Sequence, residues 1–264
     1  MKLYLGTAYF YLRSVLNTLK QVGIVISEQP RFFRDANRIR KGMKASGDFP
    51  HFAVYPCLLD RTAEGGTTKG HYFHQDLWVS QQIFKENPVK HVDIGSRVDG
   101  FVAHVAAYRF IEVIDVRPIN SEIDNMQFVQ ADMMMENPHL ENYCDSMSCL
   151  HALEHFGLGR YGDPLDIDGH LKGFASMSKM LKVGGKMYFS VPIGPQRIEF
   201  NAHRVFSISY LLKMFAANNY KVDTFCYVDD KGDLHKNVSM ANEQEVAGNF
   251  GCQWGCGIFK LEKI

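Results

Sequence analysis

The chain has 264 residues, 46% of them apolar, and equal numbers of basic and acidic groups, 29 of each. That length suits one α/β domain with additions and a sizeable core, and a net charge of zero removes the strongly basic surface that marks nucleic-acid binding. No uninterrupted apolar run reaches the roughly 18 residues of a membrane-spanning helix, and residues 3–12 lack the small-residue cleavage site of a secretory leader, which reads as a cytoplasmic protein.

The zero hides an asymmetry, because residues 1–48 carry nine Lys and Arg against three Asp and Glu. Leu5, Ala8, Tyr9, Leu12, Val15, Leu16, Leu19 and Val22 recur at helical spacing from about residue 3 to Gly23. A second, basic helix is expected from Arg31 to Lys44, ended by the turn Gly47-Asp48-Phe49-Pro50. The reading therefore separates a helical segment, 1–48, from a domain spanning 49–264. The apolar stripe suits packing on that domain, on a second copy in a homo-oligomer, or peripheral contact with a bilayer. His51 to Leu59 reads as extended, Asp60 to Gly70 as a flexible loop, and Gly70-His71-Tyr72-Phe73-His74-Gln75-Asp76 opens a helix to about Glu86. Its His71, Tyr72 and Gln75 are candidates to face a substrate cleft.

The stretch His91–Asp132 is read as βαβ. A short apolar run ends at Gly95, an apolar helix follows, Ile111–Asp115 forms a second run closed by an acid, and Met126–Asp132 forms a third. Gly95 permits a sharp turn close to a ligand, and Asp115, 20 residues on, stands where such folds bond ribose hydroxyls. Three acidic strand ends, Asp93, Asp115 and Asp132, with no phosphate-binding Lys, repel a diphosphate. They suit S-adenosylmethionine, whose sulfonium and ammonium are cationic.

Further on, a fourth strand is expected at Asp145–Cys149, leading to Leu150-His151-Ala152-Leu153-Glu154-His155 at the ligand-binding end of the sheet. A helix over about Asp168–Leu181, a fifth strand over Met187–Val191, a polar loop over Pro192–Arg204, a helix near Ser207–Ala217 and a sixth strand over about Lys221–Val228 follow. Asp229 to Asn249 reads as exposed, and Gly255–Leu261 as a last strand antiparallel to the sixth. The fold expected is a Rossmann-like, seven-stranded, mostly parallel α/β sheet with a terminal antiparallel hairpin. The six cysteines, at 57, 144, 149, 226, 252 and 256, show no Cys-x-x-Cys and no paired Cys/His spacing of a zinc site. They read as buried thiols of a reducing compartment, and no metal ligand is assigned.

The Gly95 loop and its acids resemble the class I S-adenosylmethionine-dependent methyltransferases, although Ser96-Arg97-Val98-Asp99 stands where most members carry a second glycine. The longer runs, Gly70–Asp76, Asp93–Arg97, Ser148–Pro164 and Val191–Phe206, look like a methyltransferase-like family catalogued only as a domain of unknown function, whose members often occur among genes for surface-polysaccharide synthesis. The resemblance covers about residues 50–235. It implies that Asp93, Gly95 and Ser96 meet the methionine part of the cofactor, with Arg97 pairing with its carboxylate. It further implies that Asp115 meets the ribose, Asp132 the adenine amino group, and Leu150 the flank of the adenosine.

Methyl transfer needs an aligned acceptor and a base for its proton. A neutral imidazole titrates nearest the operating pH, which makes His155 the preferred base, supported by Glu154 or Asp163, with His151 and His203 as rivals. Arg160, Tyr161, Arg197, Asn201 and Arg204 are expected to wall an acceptor pocket rich in donors, as a sugar or sugar-nucleotide requires. Two other classes stay open. One is a metal-dependent hydrolase or lyase using His71, His74, His151, His155 and His203, and the other a non-catalytic cofactor-binding protein that keeps the fold.

Overall fold

The computed structural model describes residues 2–135 and 137–264, with backbone alone for 2–11, 13, 44–46 and 62. The chain divides into two compact units, Met1–Thr67 and Thr68–Ile264. Among its described residues the first unit has one α-helix, α1 (Lys2–Ser46), where two were expected, and one 3₁₀ turn at Asp60–Thr62. The α1 helix passes through Gly23, which costs a helix only about 1 kcal/mol, and through Pro30, which costs about 3 kcal/mol; the pairs Glu28–Arg31 at 3.1 Å and Arg31–Asp35 at 3.4 Å lie across and just after the proline. Gly47, at φ +72°, ends it with its N–H on the Met43 carbonyl. The stripe residues Leu5, Ala8 and Tyr9 lie outside the described side chains, while Leu12, Val15, Leu16, Leu19 and Val22 are left exposed within the unit. Residues 51–59 form no strand. Among the described residues, no helix is long and apolar enough to cross a membrane.

The second unit starts with α2 (His71–Glu86) and continues with β1 (His91–Ile94), α3 (Ala103–Ala106), β2 (Ile111–Asp115), β3 (Met126–Gln130), β4 (Cys144–Leu150), α4 (Gly169–Met180) and β5 (Leu181–Ile193). A small hairpin, β6 (Arg197–Glu199) and β7 (His203–Val205), precedes α5 (Ile208–Ala217), β8 (Tyr220–Val228), β9 (Leu234–His235), α6 (Glu243–Ala247) and β10 (Gly255–Lys263). The main sheet runs β3-β2-β1-β4-β5-β10-β8-β9. Its first five strands are parallel, and β10 enters antiparallel between β5 and β8. This is the Rossmann-like plan, with one strand more than the seven expected. The stretch after Asp229 turns back at Gly232 and pairs Leu234 and His235 with β8.

Because side chains alternate along each strand, the sheet buries two clusters. Val92, Ile94, Ile114, Met147, Phe189 and Phe259 pack with Phe174 and Met177 of α4 and Leu211 and Phe215 of α5. Ile111, Val113, Tyr188 and Ile258 pack with Trp78, Val79 and Ile83 of α2 and with Phe101. Helices on both faces leave the carboxyl ends of the parallel strands as the place where loops converge.

Candidate active site

A cavity of about 850 Å³ opens at those strand ends, lined by Gly95, Asp115, Asp132 and His151 from the segments that leave β1 to β4. Gly95 has φ +69°, and a Cβ there would stand 3.0 Å from the Ala152 Cβ, so a side chain would push the β1 and β4 loops apart. The next glycine, Gly100, lies in a π-type turn over Val98–Val102. A Cβ on it would meet the buried Asp76 carboxylate at 2.5 Å. This glycine therefore serves packing against α2 rather than a second close turn beside the cavity.

The three acids behave differently. Asp93 is sealed beneath the loop, accepting from Ser96 N at 3.0 Å, Ser96 Oγ at 2.6 Å and Ser148 Oγ at 2.5 Å. Burial pushes its carboxyl up to about 6 against the lowering effect of those bonds. His91 extends the network through Ser146 and Ser148, and burial pushes its imidazole down to about 3. Asp115 lines the cavity and is paired with Arg117, Nε to Oδ1 at 3.0 Å and Nη2 to Oδ2 at 2.7 Å. The Arg117 guanidinium in turn lies 4.3 Å over the Tyr161 ring. Asp132, also on the lining, accepts from Met134 N at 2.8 Å. Arg97 lines the cavity beside Tyr72, but its guanidinium holds Asp99 at 2.7 Å.

Beyond β4 the chain makes a tight turn that places three ionisable groups, His151, Glu154 and His155, on one wall. His151, at φ +51°, is in the left-handed region that a non-glycine residue enters only when its surroundings compel it. Its Nδ1 meets Glu154 Oε1 at 2.7 Å, while its Nε2 is buried with no hydrogen-bond partner, as is Glu154 Oε2. Burial works against charge on both, yet Cys256 and then Glu154 raise the His151 imidazole, and His151 lowers the Glu154 carboxyl. His155 is 9% exposed, its Nδ1 bonded at 2.7 Å to the Ala202 carbonyl, and burial pushes its imidazole below the usual value. Arg160 bonds the same carbonyl at 2.9 Å. His203 reaches Glu199 at 3.3 Å and is likewise lowered by burial. Asp163 does not touch His155; it accepts the N–H groups of Gly157, Gly159 and Tyr161 and so shapes the loop.

Of the residues expected at the site, the lining brings together His71, Tyr72, Gly95, Ser96, Arg97, Asp115, Asp132, His151, Glu154, His155, Arg160, Tyr161, Asp163 and His203. The remainder lie off it, each for a stated reason. Asp93 is internally bonded. Leu150 belongs to the core on the α2 face. Gln75 is buried, with Oε1 on Ser190 Oγ at 2.6 Å and Nε2 on Asp76 at 3.1 Å. Arg197 pairs with Glu199 at 2.8 Å and lies over Trp254. Asn201 sits in the tip joining β6 and β7. Arg204 is buried, donating to the carbonyls of Phe156 at 2.6 Å and Ile167 at 3.1 Å. His74 is not on the lining either. Trp254, Met133 and Met134 line the cavity without having been read from the sequence, since nothing local distinguishes them from core residues.

Residues 107–248, more than half of the chain, match the model of a family described as Caenorhabditis protein of unknown function, DUF268. The chain belongs to that family. No curated protein matches this DUF268 chain. Among solved structures it is similar to the cyclase SpnF, at 12% identity and a TM-score of 0.51, over 75% of this chain and 85% of that one. It is similar, too, to geranyl diphosphate methyltransferase in complex with SAM, at 12% identity and a TM-score of 0.51, over 72% and 85% of the two chains. At that identity the likeness shows the fold of this DUF268 member, a methyltransferase-type Rossmann sheet.

Proposed function

We propose that the chain is an S-adenosylmethionine-dependent O-methyltransferase of the cytoplasm, acting on a sugar or sugar-nucleotide in surface-glycan synthesis. The observation that carries this reading is the cavity itself, where Gly95, Asp115 and Asp132 stand on three successive strand ends and a histidine with an available ring nitrogen stands on the fourth. Carboxylates without a lysine on the lining fit a cationic nucleoside. The Gly95–Ser96 loop would hold the methionine end, Asp115 the ribose and Asp132 the adenine. Asp115 Oδ1 accepts from both the Arg117 backbone N–H and Nε, while Oδ2 has one Arg117 bond and retains a lone pair. The solved methyltransferase resembling this chain carries SAM.

When bound, S-adenosylmethionine supplies an electrophilic sulfonium methyl. The protein's own part is to hold the acceptor and take its proton. With Nδ1–H of His155 on the Ala202 carbonyl, Nε2 carries the lone pair. The depressed imidazole is neutral at neutral pH, as a general base must be. Tyr161 and Arg160 beside it offer donors and a ring face to a hydroxylated acceptor. Calorimetric titration with S-adenosylmethionine and S-adenosylhomocysteine tests the reading. Micromolar binding of both is expected, and binding of neither removes it.

A further inference from the structure

On the wall of the cavity formed by the amino end of α2 and the turn after β4, three side chains from distant parts of the sequence converge. A ring nitrogen of His71, one of His151 and Sγ of Cys256 all lie within 4.8 Å of one another. His71 is the first residue of α2, His151 follows β4, and Cys256 is the second residue of β10. The two imidazoles lie parallel, 6° apart, with ring centres separated by 5.3 Å.

We propose that His71, His151 and Cys256 form a binding site for a zinc-class divalent transition-metal ion. Nδ1 of His151 is committed to Glu154 at 2.7 Å, which leaves Nε2, buried and without a hydrogen-bond partner, as the atom presented to His71 and Cys256. A carboxylate on the far nitrogen of a ligating imidazole is the usual outer support of a metal site, since it fixes the tautomer and strengthens the donor. Buried nitrogen atoms rarely go unbonded, so an orphan Nε2 beside a thiol and a second imidazole calls for a partner. One thiol and two imidazoles are borderline-soft donors that select zinc-class ions over magnesium or calcium.

The dimensions agree. Zinc bonds nitrogen at about 2.0–2.1 Å and sulfur at about 2.3 Å, so donors held within 4.8 Å need to close by only about 1 Å. Binding forms the nitrogen–metal and sulfur–metal bonds and releases to solvent the thiol proton together with any proton carried by His151 Nε2. The thiol meanwhile is held by Gln75 Oε1, 3.7 Å from Sγ, on the helix that carries His71. The left-handed backbone of His151 is also accounted for, as strain kept where a side chain must be aimed. Three protein ligands leave a fourth position for water or an acceptor oxygen, and His71 and His151 both line the cavity. On the methyl-transfer reading, an ion there would acidify the acceptor hydroxyl.

The test uses the full chain, stripped of metal with a chelator and dialysed. Titration with zinc chloride should show one ion bound per chain, and Glu154→Gln should weaken that binding on the order of 10- to 100-fold. His71→Ala and His151→Ala should weaken it further. Loading with cobalt should give a thiolate-to-cobalt charge-transfer absorption that is absent from Cys256→Ser. If the variants lose native circular dichroism, the cobalt spectrum of the native protein still decides, because a thiolate band requires a cysteine ligand and Cys57→Ser removes the one exposed alternative. Failure to take up stoichiometric zinc, cobalt bound without a thiolate band, or a band that persists in Cys256→Ser overturns the proposal. Cofactor affinity measured on the same samples separates the two readings, since zinc uptake without cofactor binding keeps the site and removes only methyl transfer.

Discussion

The Nδ1 of His155 and the carbonyl oxygen of Ala202 are 2.7 Å apart, and this bond decides which ring nitrogen is left for chemistry. The carbonyl can only accept, so Nδ1 carries the hydrogen and Nε2 the lone pair. His155→Ala should therefore bind cofactor normally and lose on the order of 10²–10⁴-fold in turnover. Burial holds the His155 imidazole below its ordinary value. On the methyl-transfer reading, activity of the native protein should accordingly hold at neutral pH and fall only as pH drops through a midpoint below about 6.5. Full turnover by the alanine variant would move the base to another side chain on that wall, His203 first.

Asp115 reaches the cavity through the ion pair with Arg117. On the cofactor reading, Asp115→Ala removes a charged acceptor from the ribose and leaves Arg117 unpaired, and should weaken S-adenosylhomocysteine binding by roughly 1–3 kcal/mol. Asp132→Ala should weaken it less if only the exocyclic amine is lost. Calorimetry on both variants checks the order, and equal native affinity in both would contradict the placement.

Arg204 is better understood as a structural clamp than as a substrate ligand. Its buried guanidinium bonds the carbonyls of Phe156 and Ile167 on either side of the loop that carries Arg160, Tyr161 and Asp163. Arg204→Met would leave those carbonyls unsatisfied and should cost about 2–4 kcal/mol in urea unfolding. Arg204→Lys should recover little, because one ammonium cannot span the fork.

The buried His91 predicts acid sensitivity. Its native imidazole is pushed down to about 3, whereas in the unfolded chain it protonates near 6.5. Between those values the unfolded state binds the extra proton, so stability is present above pH 6.5 and is lost as pH falls toward 3. His91→Gln, which can still bond Ser146 and Ser148, should flatten that limb by roughly 1–4 kcal/mol between pH 7 and pH 4. Denaturant midpoints at the two pH values measure it.

Much of this protein follows from local pattern. The apolar runs ending at Gly95, Asp115 and Asp132, and the glycine turn of the β1 loop, are legible because strand period and turn chemistry act over a few residues. The parallel sheet and the end at which its ligand site lies follow from that order of elements. What side chains do at the site was decided elsewhere. Asp93 and Asp115 look alike in sequence, yet one is sealed by Ser96 and Ser148 and the other is held at the cavity by Arg117. Arg204 reads as a pocket donor until its carbonyl partners are seen. The α1 helix runs on past Gly23, where the first of two helices was expected to end, because a glycine penalty of about 1 kcal/mol is small beside the bonds of a long helix. Cys256 meets His71 and His151 only because β10 is inserted next to β5 while α2 begins at the same edge of the cavity. Such meetings depend on the sum of many weak packing terms across the sheet, and no spacing along the chain records them.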